Sequence, residues 1–429
     1  MEAHDFAPGR HDIYLHHVSG DTDYSAIAWN YEGGCTVSPA ETFEVYEPRE
    51  ERMQTTAEFT SEEVTRNNVE NGVDMQGIDW DQLRMRRDEY RKQRLDRYRK
   101  RNYENLRASH DGILKEVKPV RPDGDFYSFR YTKLSEKCSI VHFQLRNLLW
   151  APNKNEVFYT YKDHVRVWSP QLRTSQDVLH LSRDRNDIKA STIACKDDVL
   201  MVGGNSGEYI FKRLNASEGD EHWGNITSDA SGITNHIDLI HDRNGVFQGL
   251  VSSNDNRARL MDLNTLKMTR TFDFPWAVNC SAMSGDKRIL CAVGDSTDSI
   301  LADAQSGEVI KVLRGHIDYS FACCWSPDGR YLATGNQDKT TRIYDIRNMS
   351  ETLHVLRANL GAIRSLHFSN DGRYLAAAGM TKPLDFVHIY DAKTFDLSQV
   401  VDFFGDIAGV SFTPDDNSLY IANSDDRVG

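Results

Sequence analysis

Phe321-Ala322-Cys323-Cys324-Trp325-Ser326-Pro327-Asp328-Gly329-Arg330-Tyr331-Leu332-Ala333-Thr334-Gly335 is the stretch that decides the fold. Two apolar runs of strand length flank four turn-forming residues. Pro327 presets the first turn torsion and Gly329 accepts a positive φ, so the two runs read as an antiparallel hairpin. The pattern recurs as Phe368-Ser369-Asn370-Asp371-Gly372-Arg373-Tyr374-Leu375, and more loosely as Phe412-Thr413-Pro414-Asp415-Asp416-Asn417-Ser418-Leu419.

Working outward, six strand endings resemble one another: residues 165–168, 209–212, 259–262, 300–303, 342–345 and 388–391. With Trp168, Phe211, Met261, Ala302, Tyr344 and Tyr390 taken as equivalent, the spacings are 43, 50, 41, 42 and 46 residues. A period of about 40–45 residues is that of a propeller blade, stretched here by loop insertions. A further unit begins at Gly409-Val410-Ser411-Phe412. The expectation is an all-β, seven-bladed β-propeller over residues 123–429. The segment 126–131 reads as the outer strand of the last blade. The chain stops where the third strand of that blade is due, so 126–131 is expected to lack a direct neighbour and the closing blade to be weak.

Within the fifth unit, Gly315-His316, Asp338 and Tyr344-Asp345 resemble the Gly-His pair, turn aspartate and Trp-Asp ending of WD-repeat proteins. The resemblance implies that His316, Thr334, Asp338 and Tyr344 form a hydrogen-bonded set within the blade. An imidazole satisfied on both nitrogens stabilises such an interior. Only this unit has the Gly-His pair, and Trp survives only as Trp168. The stretch Ile140-Val141-His142-Phe143-Gln144-Leu145-Arg146-Asn147-Leu148-Leu149-Trp150 resembles a plant and fungal WD-repeat group. Ile343-Tyr344-Asp345-Ile346-Arg347 is similar to the Trp-Asp-x-Arg ending by which some WD-repeat proteins dock on a cullin–RING ligase adaptor. Asp345 and Arg347 are therefore candidate partner-binding residues, alongside the plainer reading that they close the blade.

The chain carries a formal net charge of −13, which argues against a general nucleic-acid binder. Residues 1–78 hold 16 acidic and 4 basic residues without sustained periodicity, and read as a mostly disordered acidic arm. Residues 79–106 read as a basic amphipathic helix, started by Asp79 with Gln82 three positions on. Trp80, Leu83, Tyr90 and Tyr98 fall near one face, which should lean on the propeller side. Residues 84–101 hold 10 basic and 3 acidic residues. Three readings stay open: a solvated helix offsetting the acidic arm, a nuclear-import signal at Arg97, Arg99, Lys100 and Arg101, or RNA contact through the same residues.

No HExxH, GxSxG, GxxxxGK[S/T] or GxGxxG occurs, and seven cysteines form no CxxC pair. His16-His17 has no spaced partner, so no metal site, cofactor or enzymatic activity is expected. Scattered cysteines without a signal-like N-terminus suggest reduced thiols and an intracellular protein, nuclear or cytoplasmic. The insertion at residues 215–235 offers Trp223 as a candidate contact. The primary reading is a non-catalytic protein–protein interaction scaffold. The alternatives are a substrate receptor of a cullin–RING ubiquitin ligase and an RNA-associated protein using the basic helix.

Overall fold

Ser320–Trp325 pairs antiparallel with Tyr331–Asn336, and a three-residue clasp closes the turn between them. The Ser326 hydroxyl donates to Asp328 Oδ1 at 2.5 Å and accepts from the Tyr331 N–H at 2.8 Å. The Arg330 N–H donates to the same carboxylate at 3.0 Å. Gly329 takes φ +70°, a region that costs an L-residue strain. The same clasp recurs at Ser284 with Asp286, Ser369 with Asp371 and Thr413 with Asp415.

The computed structural model describes residues 11–16, 62–100, 111–142, 144–183, 186–216, 220–357, 361–380 and 384–424. Six sheets of four strands follow one another, each pairing its strands in chain order. Blade one runs Leu149–Asn153, Glu156–Tyr161, His164–Ser169, Thr174–His180. Blade two runs Ala190–Lys196, Val199–Gly204, Glu208–Arg213, His222–Asn225. Blade three runs Thr234–His241, Phe247–Ser253, Arg257–Asp262, Lys267–Asp273. Blade four runs Val278–Met283, Ile289–Gly294, Ser299–Asp303, Val309–Leu313. Blade five runs Ser320–Trp325, Tyr331–Asn336, Thr340–Asp345, His354–Arg357. Blade six runs Ala362–Phe368, Tyr374–Met380, Leu384–Asp391, Ser398–Phe404.

The expected seven blades are corrected to six. Apart from a two-stranded pair at Ser182–Arg183 and Asn186–Asp187, the other sheet is mixed and five-stranded, in the order Glu63–Thr65, Tyr127–Lys133, His11–His16, Ser418–Ser424, Asp406–Phe412. His11–His16 runs parallel to both its neighbours, so the sheet is no antiparallel four-stranded meander. The physical reason is a donor from the other end of the chain. After Ser418–Ser424 the next place in the sheet goes to the N-terminal segment, whose backbone groups satisfy strand edges on both sides. Tyr127–Lys133 therefore has neighbours on each side, Glu63–Thr65 and His11–His16, and is not the unpaired outer strand anticipated. This sheet closes the ring between blades six and one. At that junction a Cβ on Gly409 would meet the Leu149 backbone nitrogen at 2.9 Å, so only glycine fits.

The first strands of blades two to six each carry a register shift near their start, at residues 190–192, 234–236, 278–280, 320–322 and 363–365. Such a bulge re-aims one side chain. In three blades the residue within the shift reaches the next blade. Ser191 Oγ donates to Thr234 O at 2.6 Å, Asn235 Nδ2 to Val278 O at 2.9 Å, and Asn279 Nδ2 to Ser320 O at 3.0 Å. Apolar layers fill the gaps between blades. Phe158, Val165 and Leu179 of blade one, for example, pack with Ile193, Leu200 and Ile210 of blade two.

Among the described residues, three helices lie outside the ring, α1 (Arg66–Glu70), α2 (Arg87–Lys100) and α3 (Asp111–Glu116). Helix α2 begins later than its sequence suggests. Asp79 closes a turn, accepting from the Gln82 N–H at 2.9 Å, and Arg84 at φ +49° interrupts the path before Arg87. Trp80, Leu83 and Tyr90 do share a face, packing with Ile78, Phe386 and Phe404 on blade six. The Gln76 amide donates to Phe404 O at 2.9 Å and accepts from the Phe404 N–H at 2.8 Å. Those parts of the acidic arm that are described are thus paired to the ring, while residues 1–10 and 17–61 lie outside the described residues.

Candidate interaction surfaces

The four residues singled out in unit five converge inside blade five. His316 Nδ1 lies 2.8 Å from Asp338 Oδ2, and His316 Nε2 lies 2.9 Å from Thr334 Oγ1. Asp338 also accepts from the Ile317 N–H at 3.2 Å and the Thr340 hydroxyl at 2.6 Å. Tyr344 is hydrogen-bonded to Thr334 and Thr352. Burial alone would raise the Asp338 carboxyl; the His316 imidazole and these hydrogen bonds outweigh it and hold it below its ordinary value. All four side chains are buried, so the set stabilises the blade and offers no contact surface.

Asp345 and Arg347 form a bidentate pair, with Arg347 Nε donating to Oδ1 at 2.9 Å and Nη2 to Oδ2 at 2.6 Å. That pair holds the Asp345 carboxyl well below the carboxylate range. Arg330 adds a third donor at 3.3 Å. The Arg347 side chain remains exposed, yet its planar fork is engaged within its own turn.

Trp223 does not stand in a loop. It lies in the outer strand of blade two opposite Ile210 and packs partly buried against the layer between blades one and two. In helix α2, Arg87 donates to Asp402 and Asp74, both at 3.0 Å, on the side of blade six. Arg97, Arg99 and Lys100 belong to the last part of that helix, and Arg101 lies outside the described residues.

Asp163, His164 and His180 bring three potential metal-ligand atoms within 4.8 Å of one another. The trio is exposed and supplies its own partners. His180 Nδ1 accepts from the Ser182 N–H at 3.0 Å, which leaves the proton of the neutral ring on Nε2, toward Asp163. A metal-bound imidazole donates from its second nitrogen, the opposite arrangement.

One surface was not legible in the sequence. A cleft of about 770 Å³ between blades three and four is lined by Arg243, Arg270, Lys287 and Arg288, against Asp242 and Asp303. Both carboxylates are fastened into turns. Asp242 accepts from the Asn244 and Val246 N–H groups at 2.8 Å, and Asp303 from those of Gln305 and Ser306 at 2.9 and 2.6 Å. Burial pushes the Lys287 amine down from its ordinary value. On a chain of net charge −13 the cleft is a local reversal of sign. Its cations sit on separate hairpin turns and strands, so no run of Lys and Arg announces it.

A family model described as "WD domain, G-beta repeat" matches residues 307–345 and 350–382, which span the end of blade four, all of blade five and the start of blade six. The chain is a WD-repeat β-propeller protein. It is 25% identical over 219 residues to an uncharacterized protein of Schizosaccharomyces pombe, covering 48% of this chain and 59% of that one. It is 24% identical over 222 residues to Protein SOF1 of Saccharomyces cerevisiae, covering 47% and 41%. The serine-threonine kinase receptor-associated protein of Homo sapiens is 29% identical over 80 residues, covering 19% and 23%. The WD-repeat chain thus matches less than two thirds of each relative's length. A chain in a crystal structure of the mitotic checkpoint complex superposes with a TM-score of 0.54 at 16% identity, covering 66% of this chain and 86% of that one, a likeness of fold. Among the described residues no helix is long and apolar enough to cross a membrane.

Proposed function

We propose that this WD-repeat protein is a non-catalytic scaffold that holds an acidic segment of a partner protein in the cleft between blades three and four. The observation that carries the reading is the concentration of Arg243, Arg270, Lys287 and Arg288 in one groove of a chain of net charge −13. Opposite charge steers encounter and fixes register, and a groove held by two blades changes little on binding. The ligase-receptor reading has less support, because the Arg347 fork is already engaged by Asp345. The RNA reading, through Arg97, Arg99, Lys100 and Arg101, draws no support from the anchoring of the helix, which rests on Arg87 and Arg91 pairing with Asp402 of blade six.

Affinity purification of the full chain, with and without ribonuclease, tests all three. Partners held through the cleft should survive ribonuclease, elute with moderate salt, and be lost from the Arg243→Glu, Arg270→Glu double variant. If the double variant recovers the same partners as the wild type, the cleft is not the contact. If recovery collapses on ribonuclease treatment, the RNA reading replaces it.

A further inference from the structure

Blade six is covered on its outer side by two pieces of chain that the scaffold reading leaves without a role. One is helix α2. The other is the strap of residues 117–122, which clips onto the outer strands of blades five and six: the Lys118 N–H donates to Val355 O at 2.9 Å, and the Ser398 N–H to Arg121 O at 2.8 Å. Between strap, helix and sheet lies a cavity of about 560 Å³. That is within the size range of small-molecule sites.

Its floor is His388 and Tyr390, two residues apart on one strand, with rings stacked at 5.7 Å and 9°. His388 is 4% exposed, and its Nε2 has no hydrogen-bond partner among the described residues. Burial pushes this imidazole down to about 4, so at neutral pH it is uncharged and one nitrogen carries a proton. A buried polar atom of this kind calls for a partner. Three cations line the same space, Arg91, Lys118 and Arg357. Two are partly committed. Lys118 donates to Thr394 O at 2.6 Å and pairs with Asp396 at 2.9 Å, and Arg91 lies 3.4 Å from Asp402. Asp402, the carboxylate of the lining, is itself neutralised by Arg87 at 3.0 Å. Arg91 Nε, the atom that faces Asp402, is buried and makes no hydrogen bond among the described residues, and exposed Arg357 forms no ion pair among them.

We infer that the cavity under helix α2 and the strap is a binding site for a ligand bearing an oxyanion, phosphoryl or carboxylate, on a ring or short apolar stem. The oxyanion accepts from His388 Nε2–H and Arg91 while Arg357 supplies the countercharge. The apolar stem packs between Tyr390 and the strap's Pro119 and Val120, which also line the space. Neutral His388 suits this role, because it donates one directed bond without a buried charge needing compensation. The site is separate from the basic cleft, so either assignment can fail without the other.

The full chain is titrated calorimetrically with phenyl phosphate, benzoate and inorganic phosphate at constant ionic strength, and with a capped phosphotyrosine tripeptide. Phenyl phosphate or benzoate should bind with a Kd at or below about 1 mM. Arg357→Ala should weaken this by about tenfold, and His388→Phe should abolish it. His388→Gln, which keeps a donor in a similar volume, should retain part of it. Arg243→Glu, in the distant cleft, should leave it unchanged. A peptide binding at least tenfold tighter than phenyl phosphate would assign the oxyanion to a partner protein's side chain; equal or weaker binding would assign it to a free small molecule. Absence of binding by any probe up to about 10 mM would overturn the site. So would equal affinity in the wild type, Arg357→Ala and a folded His388→Phe or His388→Gln variant.

Discussion

The Ser326 hydroxyl is 3% exposed at the residue level and joins both sides of its hairpin turn. Ser326→Ala leaves the Tyr331 N–H without its partner and takes one of two donors from Asp328 Oδ1, so it should cost about 1–2 kcal/mol. A urea midpoint unchanged from wild type would show that the clasp is ornamental. The buried pair His316–Asp338 adds a pH dependence whose sign is fixed by the depressed carboxyl. Its stabilising contribution is present in full above the unfolded value of about 3.9 and is lost as pH falls through the folded value. The stability gap between wild type and Asp338→Asn should therefore narrow as pH falls below about 4. A gap that stays the same at every acid pH where the protein remains folded would remove the carboxylate charge from the account. The turn was legible in its Pro327 and Gly329, whereas the Ser326 clasp that fastens it was not read from the sequence. In place of a His–Asp pair, blade three has buried Arg259 and Asp255 at 3.0 Å, and nothing in the Gly-His pattern points to that pair.

For secondary-structure elements, the hairpins were readable from turn chemistry, and the closing sheet was not. Its central strand comes from the far end of the chain, and a parallel partner leaves no signature in the strand it joins. Leu15 pairs with Thr132 on one side and Ile421 on the other. Leu15→Pro removes an N–H from this doubly paired strand and should cost about 1–3 kcal/mol, read as a lowered denaturation midpoint. An unchanged midpoint would mean that the ring closes without His11–His16. Trp223 was misjudged for a related reason. The insertion around it contains a strand, His222–Asn225, and a tryptophan on an outer strand packs against its own blade. The basic helix starts at Arg87, later than the Asp79 at which its sequence pattern begins. Asp79 and Gln82 satisfy a capping pattern, whereas Asp74 and Asp402 decide where Arg87 anchors.

Across the whole molecule, the inner strands of blades two, three and four each reach into the next blade. Ser191, Asn235 and Asn279 stand 44 residues apart, each inside a register shift, and each donates to a backbone carbonyl of the next blade. A period carried by Ser, Asn and Asn does not stand out in a sequence, because bulges are set by the ladder and not by residue type. The two proposed sites escape a linear reading too. The cleft of blades three and four and the cavity on blade six each gather side chains from distant segments. Asn279 offers the test of ring cohesion. Its Nδ2 donates both to Ser320 O of blade five and to Asp295 Oδ1 at 2.9 Å within blade four. Asn279→Ala takes one donor from each of the two acceptors and should cost about 1–3 kcal/mol. Apolar layers on both sides of blade four remain, for instance Cys280 and Leu301 against Cys323 and Leu332. The ring should therefore still unfold as one unit, with a lower midpoint and an unchanged denaturant slope, since the surface exposed on unfolding is the same. A shallower slope or a second transition in Asn279→Ala would show instead that blades four and five come apart independently, and that the bulge contacts are what makes the ring cooperative.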